Sequence, residues 1–226
     1  MCGRIVQKSG PLDYVERIFS SMTQIFADPA GPQYNVAPGT RPLTMNRLAE
    51  GTEAMTRLLW GYKRTDSKHF MSNAKVETIL KNGWPWRFLV GTGRILVPAD
   101  GWYEWARKED GTKQPYYIHG DAPLYFAALT AWEPGEALDA AHGFAIVTND
   151  AMGGMVNVHD RRPVALPPDV AKHWVDPAYP TVDARSLLNE GLPETAFNWH
   201  PVRPEVGNSK YQLPDAIEPV QPTPPA

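Results

Sequence analysis

Cysteine is nearly absent from this chain: one in 226 residues, at position 2. No intramolecular disulfide can form, so a disulfide-stapled secreted fold is excluded. The six histidines (His69, His119, His142, His159, His173, His200) include no pair at the three-to-five spacing of zinc ligands, so neither a metal nor another cofactor is expected. Long apolar runs are missing too. No stretch approaches the ~20 residues that a membrane helix needs; Met1-Cys2-Gly3-Arg4 shows no apolar signal region behind a basic start, and Cys2 has no such region in front of it as a lipoprotein cysteine would need. The expectation is a soluble, cytoplasmic protein without a membrane partner. Nor does charge of one sign dominate, since the net value of −3 argues against a general polyanion binder. The distribution is uneven, however. Between Arg57 and Arg94 lie eight cations (Arg57, Lys63, Arg64, Lys68, Lys75, Lys81, Arg87, Arg94) against Asp66 and Glu77, so this stretch carries +6 and the remainder −9. Such a segment is either a footprint for phosphates or an ordinary solvated surface.

What is present is 42% hydrophobic residues, enough for one well-buried core. Pro11 to Met22 has the helical spacing Leu12, Val15, Ile18, Phe19, Met22, with proline suited to the first turn. Tyr34 to Gly39 reads as turn-rich. Strands are expected at 55–62, 94–97, 102–106, 116–119, 124–131, 144–148, 163–166 and 197–202, with helices near 168–175 and 183–189. The implied class is α+β: a single domain, 1–213, around a curved, barrel-like, mainly antiparallel sheet with peripheral helices. From Pro214 to Ala226 the proline-rich composition predicts a loosely attached or disordered tail. No repeat is visible, and a monomer is expected.

Several residues could carry chemistry. Removal of Met1 would expose Cys2 with an α-amine and a thiol on neighbouring carbons. Such an amine attacks an aldehyde to give a Schiff base, and the thiol can close onto the imine carbon as a thiazolidine. The α-amine has a reference pKa of ~7.7–8.0, so much of it is free base at neutral pH. Taken alone, a cysteine at position 2 is more often incidental than functional. Asn73-Ala74-Lys75-Val76-Glu77-Thr78 groups an amide, a cation and a carboxylate near the basic stretch. In Asp100-Gly101-Trp102-Tyr103-Glu104-Trp105 the alternate residues of a strand point to opposite faces. Glu104 among aromatics would be desolvated toward the range of an acid–base catalyst, or it would be a surface residue of an edge strand. His159-Asp160-Arg161-Arg162-Pro163 can pair a proton-transfer group with an anion clamp, or form a structural turn.

These segments, together with Met1-Cys2-Gly3-Arg4, Tyr34-Asn35-Val36-Ala37-Pro38, Trp60-Gly61, Trp199-His200-Pro201-Val202 and Val206-Gly207-Asn208, occur in the order seen in the SRAP (SOS response-associated peptidase) family. The chain resembles that family over residues 2 to 210. The resemblance implies a compact α+β domain with a barrel-like sheet. It also implies a sensor of abasic sites in single-stranded DNA that forms a thiazolidine crosslink and is nucleoid-associated when bound. By the same resemblance Cys2 is the nucleophile and Asn73 helps to hold the site. Glu104 assists ring opening and Schiff-base formation, and His159 is a second proton-transfer group, active also in reversal. Arg4, Lys75, Trp105 and Arg161 match positions that hold phosphates or stack near the lesion. Two departures stand out. Lys75 replaces the arginine common in the family, a point charge for a planar fork. The loop 63–70 is basic and lacks the proline and tryptophan seen in many members, which puts a strand-junction preference in doubt. The competing readings are a cysteine-type peptidase or N-terminal-nucleophile hydrolase, with self-processing at Met1 as its narrowest form, and a non-covalent single-strand binder.

Overall fold

At Asp100 the chain leaves one sheet and enters another, and that corner sets the architecture. The computed structural model of the protein describes residues 2–19, 24–25, 31–47, 51–63, 70–133, 136 and 143–220. One sheet has five strands in the order β15 (Asn198–Pro201), β11 (Lys113–His119), β10 (Gly101–Arg107), β1 (Ile5–Gln7) and β3 (Gln33–Val36). The other has eight. Its order is β14 (Arg161–Pro163), β13 (Phe144–Asp150), β12 (Leu124–Thr130), β9 (Arg94–Ala99), β4 (Leu43–Arg47), β5 (Glu53–Arg57) and β2 (Gln24–Ile25), and β8 (Asn73–Lys75) pairs in parallel with β13. A two-stranded ribbon joins β6 (Tyr62–Lys63) to β7 (Phe70–Met71). Apart from β8 with β13 and β2 with β5, these strands pair antiparallel. The expected α+β class and antiparallel bias hold. No closed barrel is formed among the described residues, because the strands divide between two sheets.

The corner has a local cause. The Asp100 carboxylate accepts hydrogen bonds from the Lys8 (2.7 Å) and Ser9 (3.0 Å) amides and from the hydroxyls of Ser9 and Tyr14. Its own amide donates to Val6 O and its carbonyl accepts from Tyr117 Oη. The next residue must be glycine. A Cβ at position 101 would stand 2.4 Å from the Ile118 carbonyl oxygen.

The layers follow from strand alternation. One face of the eight-stranded sheet, with Met45, Leu96, Ala127 and Val147, packs against the helices. These are α1 (Pro11–Val15), α2 (Val76–Leu80), α3 (Trp86–Thr92), α4 (Pro168–Val175) and α5 (Thr181–Leu187). Its other face, with Val97, Phe126 and Ile146, meets Ile5 and Trp102 of the five-stranded sheet. Trp102 is fully buried and meets Phe126 and Phe197 edge-on at 5.8 and 5.2 Å, contacts worth about 0.5–1.5 kcal/mol each beyond area burial. The outer face of the five-stranded sheet carries Tyr103 and Tyr117, covered by Val202, Val206 and Ala216.

Four expectations change. The first helix is shorter than Pro11 to Met22: it ends at Val15 and passes into a turn that still buries Ile18 and Phe19, while residues 20–23 lie outside the described set. Tyr34 to Val36, read as turn, belongs to β3. Arg94 is no part of a phosphate footprint. It is buried, and its guanidinium donates to the carbonyls of Val90, Trp174, Asp176 and Tyr179, which meets orphan acceptors in the last turn of α3 and where α4 ends. The proline-rich segment is packed as far as Val220. Ala216 is fully buried, Ile217 O lies 2.8 Å from His200 Nε2, Asp215 pairs with Arg203, and the Val220 amide donates to Pro201 O. The prolines are tolerated there because a short 3₁₀ turn, Pro214–Ile217, needs little from their missing donors.

Candidate active site

Cys2 stands just before β1, and the pairing of β1 with β10 brings it to the same buried face as Trp102 and Glu104. Ile5 is opposite Trp102, and the Tyr103 amide donates to Arg4 O. Cys2 is fully buried in the cluster that contains Ile5, Trp102 and Phe126. Burial and the neighbouring Glu104 carboxylate push its thiol well above the usual range. Glu104 is itself only 3% exposed, and burial raises it to about 8, with Asp160 acting in the same direction. The alternation expected from sequence holds here: Tyr103 and Trp105 face the opposite side, toward the third cluster.

His159 completes the group. Its Nε2 lies 3.8 Å from Glu104 Oε2, and burial lowers its pKa, favouring neutral imidazole. Nδ1 has two partners in reach, the Arg161 amide at 3.0 Å and Asp160 Oδ1 at 2.8 Å. These demand opposite states. Accepting from the amide puts the proton on Nε2, facing Glu104, whereas protonation turns Nδ1 into a donor to Asp160. The lowered pKa selects the first arrangement at neutral pH.

Asn73 reaches the site from the other sheet. Its Nδ2 donates to Cys2 O and to Ser72 Oγ, both at 2.9 Å, while its Oδ1 is buried without a hydrogen-bond partner. The Trp60-Gly61 motif acts on the same segment: the indole Nε1 donates to Ser72 O at 2.9 Å, and its ring stacks on Phe144 at 6.3 Å. Ser72 was invisible to sequence reading, since its role depends on the parallel pairing of β8 with β13.

Cys2, Asn73, Glu104 and His159 are therefore brought together, whereas the side chains of three of the four expected DNA contacts, Arg4, Trp105 and Arg161, engage other partners. Arg4 donates to Asn35 Oδ1 (3.0 Å), Val206 O (3.0 Å) and Gly207 O (3.2 Å), and sits 5.9 Å from the centroid of the half-buried Trp105 ring, across the sheet from Glu104. Asn35 binds Val206 O and Asn208 O, so these motifs fasten the C-terminal segment to β1 and β3. Arg161 grips Glu77 with both Nη1 (2.7 Å) and Nη2 (2.9 Å), and also bonds Asp150 and Thr148 O. It joins β14, β13 and α2, and it holds Glu77 below the ordinary carboxylate range. Lys75 is exposed at the end of β8. Most of the basic loop, residues 64–69, lies outside the described set. Among the described residues no cluster of three or more His, Cys, Asp and Glu could hold a metal, and no helix is long and apolar enough to cross a membrane.

The chain is 36% identical over 227 residues to the abasic site processing protein YedK of Escherichia coli (strain K12), covering 97% of this chain and all of that protein. It is 32% identical to the abasic site processing protein YoaM of Bacillus subtilis (strain 168), covering 83% of this chain and 85% of YoaM. Among solved structures, a phage-related protein of Bordetella bronchiseptica superposes with a TM-score of 0.83 at 64% identity, covering 94% of this chain and 100% of that one. Residues 1–209 match the family described as SOS response associated peptidase. The chain belongs to this family, SRAP.

Proposed function

We propose that this protein captures abasic sites in single-stranded DNA as a covalent thiazolidine at Cys2, shielding the lesion. The observation that carries the reading is the convergence of Glu104, His159 and Asn73 on a residue able to present both an amine and a thiol. The substrate is supported by relatives named for abasic site processing.

Hydrolysis of the Met1–Cys2 bond, by an aminopeptidase or by the protein itself, frees the Cys2 amine. The amine adds to the C1′ aldehyde of the ring-opened deoxyribose, giving a carbinolamine. Glu104, protonated at neutral pH because burial raises it to about 8, gives its proton to the departing hydroxyl. Water leaves and an iminium remains. The thiol then adds to the iminium carbon, and its proton returns to Glu104. One C–N and one C–S bond form, and one water is released. Neutral His159 exchanges protons with the sugar hydroxyl during ring opening and in reversal. Lys75, Arg4, Trp105 and Arg161 are left as proposed contacts, of which exposed Lys75 best fits a phosphate.

A thiolate hydrolase fits less well. Burial keeps the thiol protonated, which suits amine-first chemistry and opposes attack by sulfur. The test is denaturing electrophoresis after mixing with single-stranded DNA that holds one abasic site. Wild type should give a heat-stable adduct, Cys2→Ala none, and Cys2→Ser only an imine trapped by borohydride. An undiminished adduct from Cys2→Ala overturns the mechanism. Equal binding of undamaged DNA without any adduct establishes the non-covalent reading instead.

A further inference from the structure

A groove of about 520 Å³ runs along the segment that ends in His159, walled by Met152, Pro193, Phe197 and Trp199 and holding Arg162 and Glu194. Its two charged residues are unusual. Arg162 is only 8% exposed, its guanidinium 5.5 Å from the Phe197 ring centroid, and neither Nε nor Nη1 has a hydrogen-bond partner. This contrasts with Arg161 next to it, whose Nη groups are engaged. Glu194 accepts from the Met155 amide through Oε1 at 2.7 Å, but its buried Oε2 has no partner. Those orphan atoms make no hydrogen bond to each other, although the Glu194 carboxylate is near enough to favour the charged guanidinium. Buried donors and acceptors left in this state call for an occupant. Gly153 and Gly154 keep the floor open: a Cβ on Gly153, whose φ is +57°, would meet the Glu194 carboxylate at 2.7 Å.

The two charges offset each other, so the occupant must satisfy the guanidinium donors and the carboxylate acceptor together. A phosphate would pair with Arg162 but be repelled by Glu194, and a cation would meet the reverse problem. A flat group with apolar faces and both acceptors and donors on its edge meets all the demands, and a nucleobase is such a group. Guanine matches best. Its O6 and N7 accept from a guanidinium, while N1–H and N2–H donate to a carboxylate. The groove is tied to the active site, because the turn whose Met155 amide holds Glu194 also receives the His159 amide at Met155 O, 3.0 Å. Trp199 packs on the same core cluster as Cys2.

We propose that this groove binds an unpaired nucleobase of the strand flanking the lesion, guanine best of the four. The inference rests on the DNA-capture reading for its ligand. Fluorescence anisotropy with single-stranded oligonucleotides tests it. Each would carry a tetrahydrofuran abasic analogue, which offers no aldehyde, and one guanine walked through a thymine background. Wild type should bind roughly tenfold more tightly when guanine occupies one particular flanking position, the lower part of the range for a base-specific contact. Arg162→Met should flatten that preference. Changes on the DNA serve the same end without altering the protein: 7-deazaguanine removes the N7 acceptor and inosine the N2 donor, and each should lose several-fold. Equal affinity at every position, or a preference that survives both Arg162→Met and the base analogues, overturns the proposal. The capture reading fails separately, by the absence of an adduct with a natural abasic site.

Discussion

Glu104 is a carboxyl that burial raises to about 8, against an ordinary 4.5, and both its chemistry and its cost to the fold follow. Between those values the folded state keeps a proton that the unfolded state releases. Stability therefore falls as pH rises through the window and levels off above about 8. Glutamine carries no such penalty. Glu104→Gln should raise the melting temperature, and by more at pH 9 than at pH 5, while slowing adduct formation by about 10²–10⁴-fold. The wild-type rate needs Glu104 protonated and the α-amine, of reference pKa ~7.7–8.0, unprotonated, so it should peak near pH 8 and lose its alkaline limb in the variant. A wild-type rate for Glu104→Gln, or no gain in melting temperature at pH 9, contradicts the assignment. Part of this was legible in sequence: the alternation Trp102, Tyr103, Glu104, Trp105 puts the carboxylate on one face with Trp102, but only the packing of the sheets decides that this face is buried. The link from Asn73 to Cys2 O was not, since it joins positions far apart in the chain.

At the element scale the site depends on joints between strands. Arg161 is the clearest, fastening β14 to β13 and α2 through Asp150, Thr148 and Glu77. Arg161→Met leaves those acceptors without their donor and should lower the free energy of unfolding by about 1–3 kcal/mol, read as a lower urea midpoint at unchanged slope. An unchanged midpoint would return Arg161 to the role of a free anion clamp. Sequence patterning found the longer elements, β9 to β13 and α4, because their apolar runs are long and bounded by turn residues. It missed β1, β3 and β4. β1 is three residues long and buried throughout, leaving no alternation to read; β4 does alternate, Leu43-Thr44-Met45-Asn46, but over only five residues; and the turn-forming residues around Asn35 masked β3. The Asn35 motif proved to be a fastening point for Arg4 and for the carbonyls of Val206 and Asn208.

Over the whole molecule, four layers are stacked: helices, eight-stranded sheet, five-stranded sheet and C-terminal segment. The last layer was the least legible, because proline-rich composition reports the absence of helix and strand and says nothing about docking. Ending the chain at Leu213 would remove buried Ala216, the Arg203–Asp215 pair and the Val220 to Pro201 hydrogen bond. A loss of about 2–3 kcal/mol is expected, which is roughly 5–10 °C in melting temperature for a chain of this size. An unchanged melting temperature would restore the loose tail. The central claim, that the two sheets meet to make Cys2 a trap for an aldehyde, is tested most directly by mass spectrometry of the intact adduct with abasic single-stranded DNA, followed by peptide mapping. The account predicts a mass equal to the protein without Met1 plus the DNA less one water, with the DNA on the N-terminal peptide at Cys2. An adduct that retains Met1, or one mapped to a lysine, would contradict it.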